Sequence, residues 1–413
     1  MTHRALIVCY YFPPLGLAGV GRPLNLYKHL PSHGWDCHVL TVKPVTYRAY
    51  EPELLEGLDL GKIYRAGSYD PQRLMYLAGW RKISRQSLDS GFKIRSRFFP
   101  DSKRGWVGPA VRLGEKLIEK FQYDVILTTT PPMSSHLIGL KLHESTGLKW
   151  VADYRDYWTS DKIEDSYSEP GAQERAKALL KLISKSASAV TAVNRSVGEY
   201  VGATRVISNG FDAANASLWN APERSDRFVI GLLGTFGSLN PVEPLFKVLA
   251  QIRAEAPKSV DKIDIVQVGN IDREQFLSLA EQYGMRAQCQ SYGLQPRVES
   301  IRLLQQCSCF FQSLLPGWGH GLTSARIFDL LASGRPIMAY ADSGGEVEKV
   351  IKGTGNGLCF NDERLEQAAT YLKGLISAKE EGTLKLVPIP PYSEPYRWER
   401  IAGEFATLFD SLI

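Results

Sequence analysis

Apolar residues recur along this chain with two periods. Short β-branched and aromatic runs at 5–11, 38–42, 124–128, 149–152, 188–193 and 204–207 read as strands. Between them, 22–33 carries apolar residues at Leu24, Tyr27 and Leu30, and 136–143 has the same helical spacing. The alternation pauses over 213–226, a polar stretch of Asn, Ser, Pro and charged residues, and then restarts. Runs at 228–233, 262–268, 287–292, 308–313 and 336–340 read as strands, and 243–255, 276–283, 298–307, 324–333 and 346–352 as helices. A last helical face runs through Ile401, Phe405, Leu408 and Leu412. Strands alternating with helices imply βαβ units and parallel sheets. The predicted class is therefore α/β, with two doubly wound Rossmann-like domains facing a central cleft. The first is expected over 1–212 and a linker over 213–226. The second is expected over 227–390, and 391–413 is expected to return to the first. At 413 residues the chain is too long for one core, which agrees with two. Ligands of such sheets bind outside the carboxyl ends of the strands, so the strand-end loops are where chemistry is expected.

No apolar run approaches the ~18–20 residues of a membrane span. The first run lacks the small-residue cleavage site of a signal peptide and reads as a strand, so a cytoplasmic protein is expected. The six cysteines sit in apolar contexts with no CxxC pair, which suits buried thiols and gives no metal pattern. Net charge is +5, and its distribution changes the picture more than its size. Segment 73–112 holds ten Lys or Arg residues against Asp89 and Asp101, interleaved with Trp80, Phe92, Phe98 and Trp106. Two readings stand for it: docking on the anionic inner face of a membrane, or a solvated helical insertion whose aromatics pack on the domain. The basic residues form no recognisable nucleic-acid module, so no nucleic acid is expected as a partner.

Candidate chemistry concentrates at 317–337. A Gly-rich loop there runs into a helix. Thr323 and Ser324 are placed to cap it, Arg326 lies in its first turn, and Asp329 follows three residues on. Free N–H groups, cap hydroxyls and a guanidinium suit a diphosphate, and a carboxylate suits vicinal ribose hydroxyls. The alternative is a structural capped helix with Arg326 and Asp329 as an i,i+3 ion pair. His320 on the same loop, Gly234, Thr235 and Gly237 after the strand at 228–233, and Gly293 and Leu294 after 287–292 complete the expected donor side. In the first half, Gly16, Gly19 and Gly21 form a loop after the first strand, and Asp153, Arg155 and Asp156 sit at a strand end. The two carboxylates around an arginine could position a hydroxyl or face a cationic transition state; a buried ion network is the other reading. His136 opens a helix and is either a site residue or structural.

These elements, in order, resemble the glycosyltransferase family 4 group of GT-B retaining glycosyltransferases. Tyr10-Tyr11-Phe12-Pro13-Pro14 through Gly21 resembles the first strand and its acceptor-side glycine loop. Phe99-Pro100-Asp101, Trp106, Thr129-Thr130-Pro131-Pro132 and Asp153-Tyr154-Arg155-Asp156-Tyr157-Trp158 fit one branch of the family. Asn209-Gly210-Phe211-Asp212 is similar to the turn before its linker, and Gly234-Thr235-Phe236-Gly237 to the loop that opens the donor domain. Residues 326–337 are similar to its K-x-x-E-x-x-A-x-G-x-P-[VI] helix. The resemblance implies transfer of a sugar from a nucleoside-diphosphate sugar, with retention and without a metal. It places position 326 by the diphosphate and position 329 on the ribose. Three departures are visible. Gly321 stands where a donor-sugar Glu is frequent, Asp329 replaces a Glu, and 238–243 holds no Arg or Lys.

The expected function is glycosyl transfer to a glycan or lipid-linked acceptor in surface polysaccharide or glycoconjugate biosynthesis. Asp153, Arg155, Asp156 and His136 are the candidate catalytic residues. The alternatives are an isomerase like the nucleotide-sugar 2-epimerases and a non-catalytic nucleotide-sugar binder.

Overall fold

The structure, a computed structural model, describes residues 3–16, 18–45, 50–70, 73–74, 99–158, 171–220, 226–318 and 320–413. It divides into two units, Met1–Asn209 with Trp398–Ile413, and Gly210–Arg397.

The first unit is built on seven parallel strands: β1 (His3–Val8), β2 (Trp35–Val42), β3 (Ile63–Ala66), β4 (Val125–Thr130), β5 (Lys149–Tyr154), β6 (Ala189–Ala192) and β7 (Arg205–Val206). Their order is β3-β2-β1-β4-β5-β6-β7. Ala5, Leu6, Ile7 and Val8 of the central strand are all fully buried, because helices cover both faces of the sheet. Leu6 and Val8 join one core, with Trp106, Ile138 and Trp150. Ala5 and Ile7 join the other, with Trp35, Ile401, Phe405 and Phe409. The helix Trp398–Asp410 thus covers one face of the first unit's sheet.

The second unit has six parallel strands: β8 (Phe228–Leu233), β9 (Ile263–Val268), β10 (Cys289–Ser291), β11 (Cys309–Ser313), β12 (Ile337–Tyr340) and β13 (Gly357–Phe360). Their order is β10-β9-β8-β11-β12-β13. In both sheets the order reverses beside the first strand of the unit, between β1 and β4 and between β8 and β11. A doubly wound sheet opens a binding crevice at that point.

Several elements go beyond the sequence expectation. Strand β3 is four residues long and largely half-buried, so it shows no clear apolar run. The helix Arg104–Phe121 contains Gly105, Gly108, Pro109 and Gly114, residues that oppose helix propensity. Close packing explains two of these glycines: a Cβ on Gly105 would lie 2.6 Å from the Tyr69 backbone, and one on Gly114 2.8 Å from Leu142. At Arg73 and Trp106, segment 73–112 follows the second of its two readings, packing on the domain. Trp106 is fully buried, its ring edge-on to Tyr10 at 5.4 Å, and Arg73 is buried too. These residues belong to the domain rather than to a membrane-facing surface. Residues 75–98 lie outside those described.

The stretch read as a linker is partly ordered. Asp212 caps a short helix, Ala213–Ala216, by accepting from Ala214 N at 2.9 Å. Trp219 is buried against Phe310 and under the Arg335 guanidinium, 4.7 Å away. Arg335 is itself fully buried and donates to the carbonyls of Asn220, Gln305, Cys307 and Ser333. Residues 213–220 therefore belong to the second unit, and 221–225 lie outside the described residues. Residues 391–397 stay with the second unit as well, through Phe211 N donating to Tyr396 O at 2.9 Å.

Candidate functional site

In the second unit the expected donor-side residues gather at the carboxyl edge of the sheet. Gly234 follows β8 and Gly269 follows β9, both with positive φ, at +100° and +129°. A Cβ on Gly269 would overlap the carbonyl of Gly234, so the two loops pass each other only because neither carries a side chain. Gly293 closes the group: its carbonyl accepts from Gly269 N at 2.7 Å, leaving Leu294 exposed at the rim. Phe236 N donates to Asn270 O at 2.9 Å, and Gly237 and Asn240 exchange hydrogen bonds at 3.1 Å, which holds Thr235 outward on a tight turn.

Arg326 enters this glycine edge. Its guanidinium occupies the place a Cβ of Gly234 would take and lies 5.9 Å from the Phe236 ring centre. Among the described residues it meets Asp329 only through space and has no hydrogen-bond partner. Burial lowers its pKa, with Asp329 opposing. A half-buried guanidinium with no hydrogen-bond partner at a strand-end glycine loop has the chemistry to bind an anion.

The ion pair between Arg326 and Asp329, kept open above, is not formed. Asp329 instead pairs with Arg297, at the start of the helix Arg297–Leu303. Burial pushes the Asp329 carboxyl up, and Arg297 pulls it back. Arg297 escaped sequence reasoning because an arginine 32 residues away carries no local signal. The cap expectation is also corrected. The helix starts at Arg326, its cap residue is Ala325, and no side chain closes that end. Thr323 and Ser324 fall two residues and one residue too early. His320 is exposed, and its carbonyl accepts from Glu346 N at 2.9 Å.

The first unit departs further from expectation. Asp153 is fully buried. It accepts from Arg22 Nε at 2.9 Å and Nη2 at 2.8 Å, and from Thr129 and Thr191 hydroxyls at 2.7 Å each. Burial alone would raise its pKa, but the Arg22 charge and these hydrogen bonds hold it below the ordinary carboxylate value. Both oxygens are saturated and no solvent reaches them. The structure thus assigns Asp153 to a buried ion network, and a catalytic role for it is withdrawn. Arg22 also donates to the carbonyls of Ile207 and Ser208 at 2.9 and 2.7 Å, where the chain leaves the unit. Sequence reasoning placed Arg22 on a helix and could not see that it is buried.

Arg155 does not bond to Asp153. Its three guanidinium nitrogens donate to the carbonyls of Gly19, Thr130 and Pro131 at 2.6, 2.5 and 3.1 Å. It therefore ties the glycine loop after β1 to the exit of β4, across the switch point. Asp156 is exposed beside it. Of the loop glycines, Gly19 packs on Tyr11, Gly16 faces the Glu51 side chain, and Gly21 begins the helix Gly21–His29.

His136 is fully buried in the core and cannot meet a substrate. Trp150 Nε1 donates to Thr128 Oγ1 at 2.8 Å, and that hydroxyl lies 2.7 Å from His136 Nδ1. The relay makes Nδ1 the acceptor and leaves the proton on Nε2, beside the Tyr154 ring at 4.4 Å. Burial lowers the imidazole pKa to about 3, with Asp153 opposing. An unfolded chain binds the proton near pH 6.5. Stability from keeping His136 neutral is therefore complete above that value and is lost as pH falls toward 3. Between pH 7 and 5 the loss should be about 2 kcal/mol. His136→Gln should lack this component in paired urea titrations. Equal pH slopes for the two proteins would refute the assignment.

Residues 216–383 match the model of the family glycosyl transferases group 1. No curated protein matches the chain significantly. The whole chain is similar to solved GT-B structures. Sucrose-phosphate synthase from Thermosynechococcus elongatus is 15% identical with a TM-score of 0.64, covering 99% of each chain. Anabaena HepE in complex with UDP-glucose is 15% identical at 0.62, again over 99% of each. The α,α-trehalose 6-phosphate synthase of Burkholderia multivorans is 14% identical at 0.61, over 100% of this chain and 99% of that one. The fold is GT-B, and the similarity to the group 1 glycosyl transferase model is confined to residues 216–383.

Proposed function

We propose that this protein transfers a sugar, with retention of configuration, from a nucleoside-diphosphate sugar to a glycan or lipid-linked acceptor, as the family 4 resemblance implies. One observation carries the reading: the unpaired Arg326 guanidinium lies against Gly234 at the switch point of the second sheet. Asp329, set by Arg297, is the carboxylate for the ribose, and the loop at Gly293 and Leu294 lines the nucleoside side. Arg326 supplies the counter-charge for the diphosphate, so the reading calls for no metal. The C1–oxygen bond to the diphosphate breaks as the acceptor oxygen bonds to C1 on the same face. The acceptor proton goes to the leaving phosphate oxygen. Arg326 stabilises the charge that develops there.

On the acceptor side, Arg155 is a positioning residue for the Gly16–Gly21 loop, and Asp156 is the exposed carboxylate nearest to it in sequence. A similar structure was solved in complex with UDP-glucose, which makes a nucleotide sugar the natural first ligand. Surface polysaccharide or glycoconjugate assembly would suit a lipid-linked acceptor. Residues 75–98 contain basic and aromatic side chains for contact with the cytoplasmic membrane face. No helix among the described residues is long and apolar enough to cross a membrane.

The test is a thermal-shift screen with UDP, GDP, ADP and their hexose conjugates, followed by product analysis with and without acceptors. A ligand at a hundred times its Kd stabilises by about 2.7 kcal/mol, a rise of several degrees. Transfer only when acceptor is present supports the proposal. Conversion of the donor alone would indicate an epimerase, binding without turnover a binder, and no stabilisation by any nucleoside diphosphate would overturn the site.

A further inference from the structure

Beyond the diphosphate position, the same sheet edge carries a carboxylate that the resemblance does not assign. Asp342 follows β12, two strands from β8, so it lies about 10 Å along the edge from Gly234. Its Oδ1 accepts from Gly317 N at 2.7 Å. Gly317, at φ +81°, opens the loop that leads through His320 toward Arg326. Oδ2 is enclosed and, among the described residues, has no hydrogen-bond partner.

The surroundings define what chemistry this oxygen can meet. Three N–H groups of the turn after Asp342 are in use. Gly344 N donates to Glu348 Oε2 at 2.6 Å, Gly345 N to the Asp342 carbonyl at 3.3 Å, and Glu346 N to His320 O at 2.9 Å. Glu348 is buried and held by Arg364 at 2.7 Å, so this turn is preset. The Asp342 carboxylate itself repels an anion. It presents one unused acceptor, the Oδ2 lone pairs of Asp342. A carboxylate oxygen left without a donor is costly, and a hydroxyl removes that cost. The residue as a whole is only half-buried, and Gly317, His320, Ser343 and Gly344 around it are exposed.

We infer that Asp342 is the specificity residue for the transferred sugar, accepting hydroxyl protons from the hexose beyond the diphosphate. This rests on the glycosyl-transfer reading above. It names the chemical class of the group read at this position: a neutral, hydroxyl-bearing sugar carbon rather than a carboxylate or phosphate substituent.

Asp342→Asn separates this role from a structural one. The amide oxygen can still accept from Gly317 N, so the loop keeps its tether, while Nδ2 replaces the acceptor at Oδ2. Calorimetric titration of the full chain with UDP, GDP and ADP, and with their hexose conjugates, reads the difference. The variant should bind the bare nucleoside diphosphate like the unaltered protein and the matching sugar conjugate roughly 10- to 100-fold more weakly, the span of a hydrogen bond to a charged group. Asp342→Ala, which also removes the Gly317 tether, should weaken both. Equal affinity of Asp342→Asn for the conjugate would mean that only water fills the site, and a parallel loss for both ligands would mean a structural role. Either overturns the inference and leaves the proposed function standing. Failure of the unaltered protein to bind any nucleoside diphosphate would sink that function and this inference together.

Discussion

Replacing Arg22 with methionine should destabilise the first unit by about 3–5 kcal/mol, the cost of leaving a buried charge without its partner. The geometry makes this one of the largest effects available. Arg22 and Asp153 are both essentially closed to solvent, and their side chains meet through two hydrogen bonds. With Arg22 gone, Asp153 keeps only the Thr129 and Thr191 hydroxyls, and the carbonyls of Ile207 and Ser208 lose a donor. The guanidinium also lies 5.1 Å from the Phe405 ring, so the helix Trp398–Asp410 loses a contact. The double variant Arg22→Met with Asp153→Leu should recover much of the loss, because no unpaired charge remains. Denaturant titration reads both. A cost below about 1 kcal/mol for Arg22→Met would show that the pair is not the buried network described here.

Arg326→Ala should behave in the opposite way, with a large effect on binding and little on folding. A hydrogen bond to a charged group contributes about 1.5–3 kcal/mol, so nucleoside diphosphate affinity should fall roughly 10- to 100-fold. A nucleoside without phosphates should bind the variant as it binds the original. Among the described residues Arg326 has no hydrogen-bond partner, and burial already disfavours its charge, so stability should hold or rise slightly. This combination separates a ligand-holding arginine from a structural one such as Arg335, whose N–H groups are all directed at protein carbonyls. Unchanged diphosphate affinity would remove Arg326 from the site.

Asp153 and Arg326 show what a sequence can and cannot say about a charged residue. Both lie at strand-end loops or the helices that follow them, and both attracted a functional reading. Asp153 proved to be saturated by partners 24 to 131 residues away. Arg326 proved to have none. His136 is a third case: its helix-start position suggested access, yet the ring lies inside a core shared with Trp150 and Tyr154. The helix Arg104–Phe121 was hidden for a different reason. Its glycines and proline oppose local helix propensity, and packing against Tyr69 and Leu142 overrides that preference.

By itself the sequence determined the alternation of strand and helix, and with it two parallel sheets and the strand ends where ligands can bind. Apolar periodicity is a local property and survives in a linear reading. It also located the glycines at 234 and 293 and the basic helix start at 326, because backbone crowding and helix polarity are likewise local. Only the tertiary structure decided which charges are spent and which are free. Arg22 with Asp153, Arg155 with Gly19, Arg297 with Asp329 and Asp342 with Gly317 are pairings between distant parts of the chain. Coulomb energy depends on separation and on exclusion of water, and neither is encoded in the order of residues near any one of them.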